Sequence, residues 1–559
     1  MLMETLHVMR DLSRLHEIAT IFIRYGWGDV ARRLGIVSLL ERAGRILHWQ
    51  EAEDIMHLEP AVRVRRALEE LGPTFVKLGQ VLATRVDMFP PCWIAEFEKL
   101  QSEVPPVPFE ELLPELLSAL GASPLDVFLD VQTTPIAAAS IAQVHAAKLK
   151  DGSEVVLKIR RPGIRQKIEA DLRILAHIAN LLESEIPEAR RYQPAKITAE
   201  FTRSLRRELD LAMEARNIER FATNFAADAT VLIPKVYWDW TSEIMNVQQR
   251  IVGIQGKDLA AVEAAGLDRE LLARRGADVV LKMILIDGYF HADPHPGNVF
   301  YLPGNRLALL DFGMVGRLTH ERRDQIVDLL AALAQHHEDG MLDVLLEWAG
   351  DASVDDAKLA ADVGDLSVNY ENVPIKDIRL SALLQEITVI MREHSLVLPS
   401  DLTLLFKTLI TLEGFGRQLD PEFHLISHLT PFVTRVIRER YTPAALFKRG
   451  RRSINEMYGL VTSLPRDLGR LIREARRGRF KIDLDLKRLD HFGQQLDRSV
   501  NRLTMGIMTA SLVIGSSIVM TVKGGPTLFG LPLFGLLGFL LAFFNSVWII
   551  LSIWRSNRH

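Results

Sequence analysis

The sequence predicts an α+β protein of two lobes, a small strand-rich lobe followed by a larger helical one. A helical extension precedes them and an apolar helical hairpin ends the chain. Three observations carry this reading. Alternating stretches bounded by turn residues occupy about 125–160 and recur near 300; apolar residues at helical spacing dominate 60–100, 165–225 and 317–440; and two uncharged runs close the chain. With 559 residues, the chain needs more than one hydrophobic core.

Taken in order, residues 1–55 form an N-terminal amphipathic segment. The stretch "IFIRYGWGDVARRLGIVSLL" mixes apolar and basic positions, and a helix pair packed on its own protein is favoured over one lying on a membrane. No compact apolar core with a small-residue cleavage site argues for a secretory signal. Residues 56–115 form a helical extension, broken at "VPPVPFEE" (104–111) where a linker enters a new helix. The main domain is expected over 116–445. There "IAAASIAQVHAAKL" and "VVLKIRRPG" read as two strands joined through a hairpin with Asp151-Gly152 at its tip. A further strand-like pair is expected in "VLIPKVYWDWTSEIMNVQQRIVG" (231–253).

A basic segment at 446–502 suits an anionic leaflet, although its interleaved acids also suit a solvated helix face. The runs at 505–522 and 528–554 are each long enough to cross about 30 Å of hydrocarbon. Only Lys523, two glycines, Pro526 and Thr527 separate them, so they predict a transmembrane hairpin over 503–554. Arg502, Arg555 and Arg558 flank the pair and place both ends in the cytoplasm.

The bulk properties exclude some function classes. A net charge of −4 gives no support to nucleic-acid binding. The single cysteine, Cys92, cannot form an internal disulfide, which fits a reducing compartment and leaves no basis for a structural zinc site.

The chemistry gathers in "HADPHPGNVF" (291–300) and in the residues from there to Gly313. From Asp293 to Asn298 is five positions, and thirteen more reach Asp311 in a literal Asp311-Phe312-Gly313. This is the protein-kinase order of a catalytic-loop acid, an asparagine and a metal-binding aspartate. Between them, "VFYLPGNRLALLDF" predicts two short strands around Gly304-Asn305, which bring Asn298 and Asp311 together. An amide oxygen and a carboxylate are hard ligands suited to Mg²⁺. His291 and His295 are better read as structural, since Pro294 and Pro296 oppose the helix that i, i+4 metal ligation would need. Lys158, in "VVLK", has the surroundings of the phosphate-facing strand lysine. Candidate partners are Glu208, Asp210 and Glu214, which cannot all share one helix face. The loop ahead of Lys158 holds Ala137-Ala138-Ala139-Ser140 where kinases place glycines, so the nucleotide must be gripped differently.

Together these features resemble the UbiB/ABC1 family of atypical, protein-kinase-like proteins tied to ubiquinone biosynthesis. The matching segments are "KLGQ" (Lys77 to Gln80), "AAASIAQVH", the acids of "ELDLAMEA", "HADPHPGNVF" and the Asp-Phe-Gly, over roughly 60–320. The resemblance implies an atypical protein-kinase-like fold with ATP and Mg²⁺ as cofactors. It implies a nucleotide loop of Pro135, Ile136, Ala137, Ala138, Ala139, Ser140, Ile141, Ala142 and Gln143. Lys158 is implied to pair with the phosphates and Glu214, Asp293 to be the catalytic acid, and Asn298 and Asp311 to hold the metal. Lys77 and Gln80 are implied to lie over the active site, facing Glu208 and Asp210. Gln249 stands where kinases commonly place an acid.

The function expected is a membrane-anchored, Mg-dependent ATPase or atypical kinase acting on or near lipid quinone precursors, with other quinone-biosynthesis proteins as partners. The expected location is the bacterial inner membrane, with the kinase-like domain on the cytoplasmic side. Two rivals are a true protein kinase and a nucleotide-switched scaffold. An older family label, ring hydroxylase of polyprenylphenols, finds no flavin or iron motif in this sequence.

Overall fold

The computed structural model describes residues 2–42, 57–86, 88–100, 104–350, 354–371, 373–374, 378–394, 396–440, 504–519, 526–528 and 531–556. The basic segment expected over 446–502 lies outside them, as do residues 43–55 of the N-terminal segment. The chain divides into two compact units, Met1–Glu439 and Arg440–His559.

In the first unit, α1 (Leu2–Phe22) packs against its own protein. Its Leu15, Ile18 and Ile21 share a core with α2 (Pro60–Leu71), α3 (Pro73–Ala83) and α4 (Pro91–Phe97). The break between α2 and α3 is local chemistry. Gly72 takes φ 95°, a left-handed conformation that strains a side chain, and Pro73 starts the next helix where no N–H is needed. A buried polar knot then fixes α3 in place. Arg14 Nε donates to Asp171 Oδ1 at 2.6 Å, and the Thr74 hydroxyl donates to Asp171 Oδ2 at 2.5 Å. Arg14 also reaches the Leu71 carbonyl at 2.6 Å. Asp171 is fully buried, so Asp171→Ala would take from the buried Arg14 guanidinium its buried counter-charge, leaving it the partly exposed Glu17 and the Leu71 carbonyl. We expect a loss of about 3–5 kcal/mol in chemical denaturation.

The linker leads through α5 (Phe109–Leu120) into the small lobe, built of β1 (Phe128–Val131), β2 (Ala137–Ala138), β3 (Ala142–Leu149), β4 (Glu154–Arg160) and β6 (Met245–Gln249). The sheet runs β1-β3-β4-β6, with β2 added to β3. The β3–β4 hairpin turns at Asp151-Gly152 as expected, with Gly152 at φ 91°. Helices α6 (Ile164–Glu185), α7 (Pro194–Glu208) and α8 (Leu211–Asn224) follow.

The strand pair expected over 231–253 is found in part: residues 235–237 run antiparallel to β6, with the Tyr237 N–H on the Val247 carbonyl at 2.9 Å and the Gln249 N–H on the Lys235 carbonyl at 2.8 Å. The start of the stretch, β5 (Val231–Leu232), instead pairs in parallel with β10 (Arg306–Leu309) in a different sheet, and β6 also pairs with β4. Pro234 ends β5, and the Trp238–Trp240 turn returns the chain from residues 235–237 to β6. In the large lobe, β7 (Ile254–Gln255), β9 (Val299–Leu302) and β10 complete the sheet β5-β10-β9-β7. A two-stranded ribbon joins β8 (Tyr289–His291) to β11 (Val315–Arg317).

Helices α9 (Arg269–Leu281), α10 (His320–Ala334), α11 (Glu338–Ala349), α12 (Asp356–Glu371), α13 (Leu380–Glu393), α14 (Ser400–Leu419) and α15 (Leu425–Arg440) complete the lobe. Their apolar faces merge with the strands in one core that contains Phe312, Phe290 and Phe406.

In the second unit, a helix over 504–519 faces α16 (Leu533–Ser556). Thr509 Oγ1 accepts a hydrogen bond from Asn545 Nδ2 at 2.8 Å, and Ser516 and Ala542 are buried. Their other faces are apolar and exposed, at Ile507, Met508 and Ile514 on one helix and at Phe534, Leu541, Phe543 and Phe544 on the other. Among the described residues, no helix is long and apolar enough to cross a membrane. The spans expected at 505–522 and 528–554 are thus seen only as this shorter apolar pair.

Candidate active site

Strand register decides which side chains can meet. Lys158 on β4 lies opposite Val144 on β3 and Asn246 on β6, so these three share one face of the small-lobe sheet. Helix α8 lies against that face. Asp210 caps its start, accepting from the Ala212 N–H at 3.0 Å, and this sets Glu214 in the first turn. Lys158 Nζ donates to Glu214 Oε1 at 2.8 Å and lies 3.8 Å from Asp311 Oδ1.

The three groups set one another's charge. Burial pushes the Glu214 carboxyl up to about 7, with Lys158 pulling it down and Asp311 adding to the rise. Lys158 holds the half-exposed Asp311 carboxyl well below the usual carboxylate range, against the effect of burial. For Lys158 burial opposes the charge, yet Asp311 and Glu214 outweigh it and raise its pKa.

The catalytic-loop residues follow from β8. The His291 ring is buried, and its Nδ1 accepts the Asp293 N–H at 3.1 Å. Burial lowers its pKa, which keeps it a neutral acceptor. His295 Nδ1 accepts the Gly297 N–H at 3.1 Å. Both histidines therefore brace the backbone of the turn. Asn298 Nδ2 donates to the Asp293 carbonyl at 3.2 Å, and the Leu310 N–H donates to the Asn298 carbonyl at 3.1 Å. These bonds hold Asp293, Asn298 and Asp311 on adjoining strand ends. Gly256 supports the loop from below: a Cβ there would meet the Pro296 carbonyl oxygen at 2.7 Å.

The extension reaches the same site. Lys77 on α3 pairs with Glu208 at the end of α7, Nζ to Oε1 2.5 Å. Burial works against the Lys77 ammonium, but Glu208 outweighs it and raises its pKa, with Asp311 adding to the rise. The other expected contacts of this group are not brought together. Gln80 Nε2 donates to the Leu100 carbonyl at 3.0 Å, within the extension. Asp210 is engaged in its cap and lies 3.9 Å from Arg216.

The loop from Pro135 to Ala142 folds back on β3 through β2, closed by the Ala139 N–H on the Ala142 carbonyl at 2.9 Å. Ile136 and Ala137 are exposed, whereas Ser140 and Ile141 are buried. Ile141 packs with Ile164, Ile168 and Phe201, against Leu78 and Val81 of the extension. The end of the loop is thus tied to α3. Gln143 differs from the expectation. It pairs with Ile159, one position out of step with Lys158, and so occupies the opposite face of the sheet. Its side chain clamps the linker, donating to the Val107 carbonyl at 3.1 Å and accepting the Val107 N–H.

Several residues escaped the sequence reading. Asn217 stands three positions after Glu214 on the same helix face. It donates to the Phe312 carbonyl at 2.8 Å and accepts from the Tyr289 hydroxyl at 2.6 Å. This ties α8 to the Asp-Phe-Gly, with Phe312 packed on Phe221 and beside His291. The i, i+3 spacing was the available signal. Lys407 on α14 places Nζ 3.6 Å from Asp293 Oδ1, a contact that no local pattern announces.

The fit to the expected cofactors can be tested on buried polar atoms. Asn246 is fully buried beside Lys158, and neither end of its amide has a hydrogen-bond partner; the Gln248 Oε1, two residues on and on the same face, has none either. Buried orphan amides are costly unless a polar ligand or water meets them. A nucleotide base fits this face. Asn298 and Asp311 offer the hard oxygens that Mg²⁺ takes alongside phosphates.

Comparison with known proteins accords with this geometry. Residues 99–345 match the ABC1 atypical kinase-like domain, 363–424 the UbiB helical domain and 487–555 the ABC1/UbiB kinase-like C-terminal domain. A probable protein kinase UbiB of Aliivibrio fischeri is 36% identical over 446 residues, covering 78% of this chain and 81% of its own. One from Pseudomonas aeruginosa is 34% identical over 455 residues, 80% of this chain and 85% of its own. An uncharacterised protein from the 5′ region of a hydrogenase gene of Clostridium pasteurianum is 32% identical over 495 residues, 88% and 93%.

Proposed function

The chain belongs to the ABC1/UbiB family of atypical kinase-like proteins, and from that premise we propose that it is a Mg-dependent ATPase or atypical kinase serving ubiquinone or related prenyl-quinone synthesis at a membrane. The observation that carries the catalytic part is the Lys158–Glu214 pair at 2.8 Å with Asp311 3.8 Å beyond it. Lys158, held in place by Glu214, would bind the phosphates, and Asn246 and Gln248 would meet the base. Asn298 and Asp311 would hold Mg²⁺, which supplies neutralising charge when bound. Asp293 would accept the proton of the attacking hydroxyl or water.

The acceptor side is narrowed by the extension. Lys77–Glu208 and the Asp171 knot tether α3 beside the site, and a helix so held would limit access by a folded protein substrate. This favours water or a small lipid-like acceptor, such as a phenolic quinone precursor, over the protein acceptor that the relatives' names suggest. The apolar outer faces of 504–519 and α16 support attachment to a membrane, which we take to be the bacterial inner membrane with the kinase-like unit on its cytoplasmic side. Other quinone-biosynthesis proteins are the expected partners there.

The test is ATP turnover by the purified full-length protein with Mg²⁺, with and without anionic vesicles carrying a phenolic quinone precursor. We expect hydrolysis that the vesicles stimulate. A protein that binds no nucleotide would end the proposal. Phosphate found on a protein partner instead would favour the protein-kinase reading.

A further inference from the structure

We infer that Lys407, supplied by the helical domain that follows the catalytic loop in sequence, is a catalytic residue that contacts the transferred phosphoryl group beside Asp293. This rests on the ATP-dependent reading above and assigns a new group to it. The placement is built, not incidental. The neighbouring Thr408 is fully buried, and its hydroxyl is shared between the Leu404 carbonyl of its own helix at 2.8 Å and the Ala292 carbonyl at 3.2 Å, 116 residues away in sequence. At the adjacent position of each segment, Lys407 Nζ lies 3.6 Å from Asp293 Oδ1. Two turns on, Phe415 packs beneath Gly256, which itself abuts the Pro296 carbonyl of the catalytic loop. Helix α14 is thus held against the loop region next to the lysine and again two turns beyond it.

The site needs such a cation. Lys158 is paired with Glu214 and Lys77 with Glu208, so both are held on the small-lobe and extension side. The loop itself offers none facing the acceptor, because the His295 ring turns back to cap Gly297. In the transfer step the acceptor oxygen bonds to the γ-phosphorus while the bond from that phosphorus to the β–γ bridging oxygen breaks. The bond's electron pair leaves with ADP, and the acceptor's proton passes to the Asp293 carboxylate. Negative charge spreads over the equatorial oxygens between Asp293 and the leaving group. An ammonium adjoining Asp293 stabilises that charge and offsets the repulsion between carboxylate and phosphoryl group. Lys407 acts on the acceptor side, as Lys158 does on the nucleotide side.

The experiment uses the full chain, MgATP and water as acceptor, reading kcat, equilibrium ATP affinity and thermal midpoint. Lys407→Met should lower kcat about 100-fold with ATP affinity changed by less than about threefold and the midpoint retained. Lys407→Arg should recover at least about a tenth of the wild-type rate. Lys407→Gln provides the same reading should the methionine variant fold poorly. Wild-type kcat in the neutral variants overturns the inference, as does a rate loss matched by an equal loss of ATP affinity. A wild type that neither binds nor hydrolyses ATP removes the underlying reading itself, an outcome distinct from both.

Discussion

Asp311→Asn is expected to abolish Mg-dependent ATP turnover, a loss on the order of 10³-fold, without unfolding the protein. Asparagine keeps the shape and one oxygen to accept the Gly313 N–H, which Asp311 Oδ1 accepts at 2.9 Å. What it loses is the charge. Lys158 holds the Asp311 carboxyl well below the ordinary carboxylate range, so it is ionised at every working pH. That anion is what a divalent cation needs, and it is also the counter-charge that lies 3.8 Å from Lys158. The stability part has a definite sign. A depressed carboxyl pKa stabilises the fold above the ordinary carboxylate range, and the contribution fades as pH falls through it. Any stability gap between wild type and Asp311→Asn should therefore narrow in acid. Half-exposure of the side chain keeps that gap small. ATP turnover within about tenfold of wild type would sink the metal role of Asp311.

How much of this was legible depended on whether the signal was local. The β3–β4 hairpin and the β9–β10 hairpin could be read because alternation and a turn at Asp151-Gly152 or Gly304-Asn305 specify pairing within a few residues. Spacing placed Asp293, Asn298 and Asp311 for the same reason. Parity was harder. Gln143 belongs to the same motif as the loop before it, yet a single step of register puts it behind the sheet, where it holds the linker. Pairing of β5 with β10 joins segments some 75 residues apart, a long-range choice made by the large-lobe core and not by propensity. Lys407 was invisible because nothing near it in sequence is catalytic; only packing of α14 on the catalytic loop gives it meaning. Asp210 shows the reverse case, an acid in a functional motif whose observed work is to start a helix.

Lys158→Met should cost turnover about 10²–10³-fold, and its effect on stability should depend on pH in a way that tests the electrostatics directly. Methionine fills much of the lysine stem's volume, so the sheet face stays packed. The loss is the ammonium 2.8 Å from Glu214. In the wild type, burial already pushes the Glu214 carboxyl from 4.5 up to about 7 while Lys158 pulls it down. Without Lys158 it must rise further. A carboxyl raised on folding contributes stability that is fully present below its unfolded value and lost as pH climbs through the folded one. The wild type therefore finishes that loss near pH 7, whereas the variant goes on losing about 1.4 kcal/mol per pH unit beyond it. The gap between the denaturation midpoints of the two proteins, set at pH 5 by the lost pairing with Asp311, should widen by pH 8, and adding Glu214→Gln should remove most of the widening. A gap independent of pH would mean that Lys158 is held by packing alone and that Glu214 does not sense it. Turnover and stability then answer different questions about the same pair: the first whether the ammonium serves the phosphates, the second whether Glu214 is the group that holds it there.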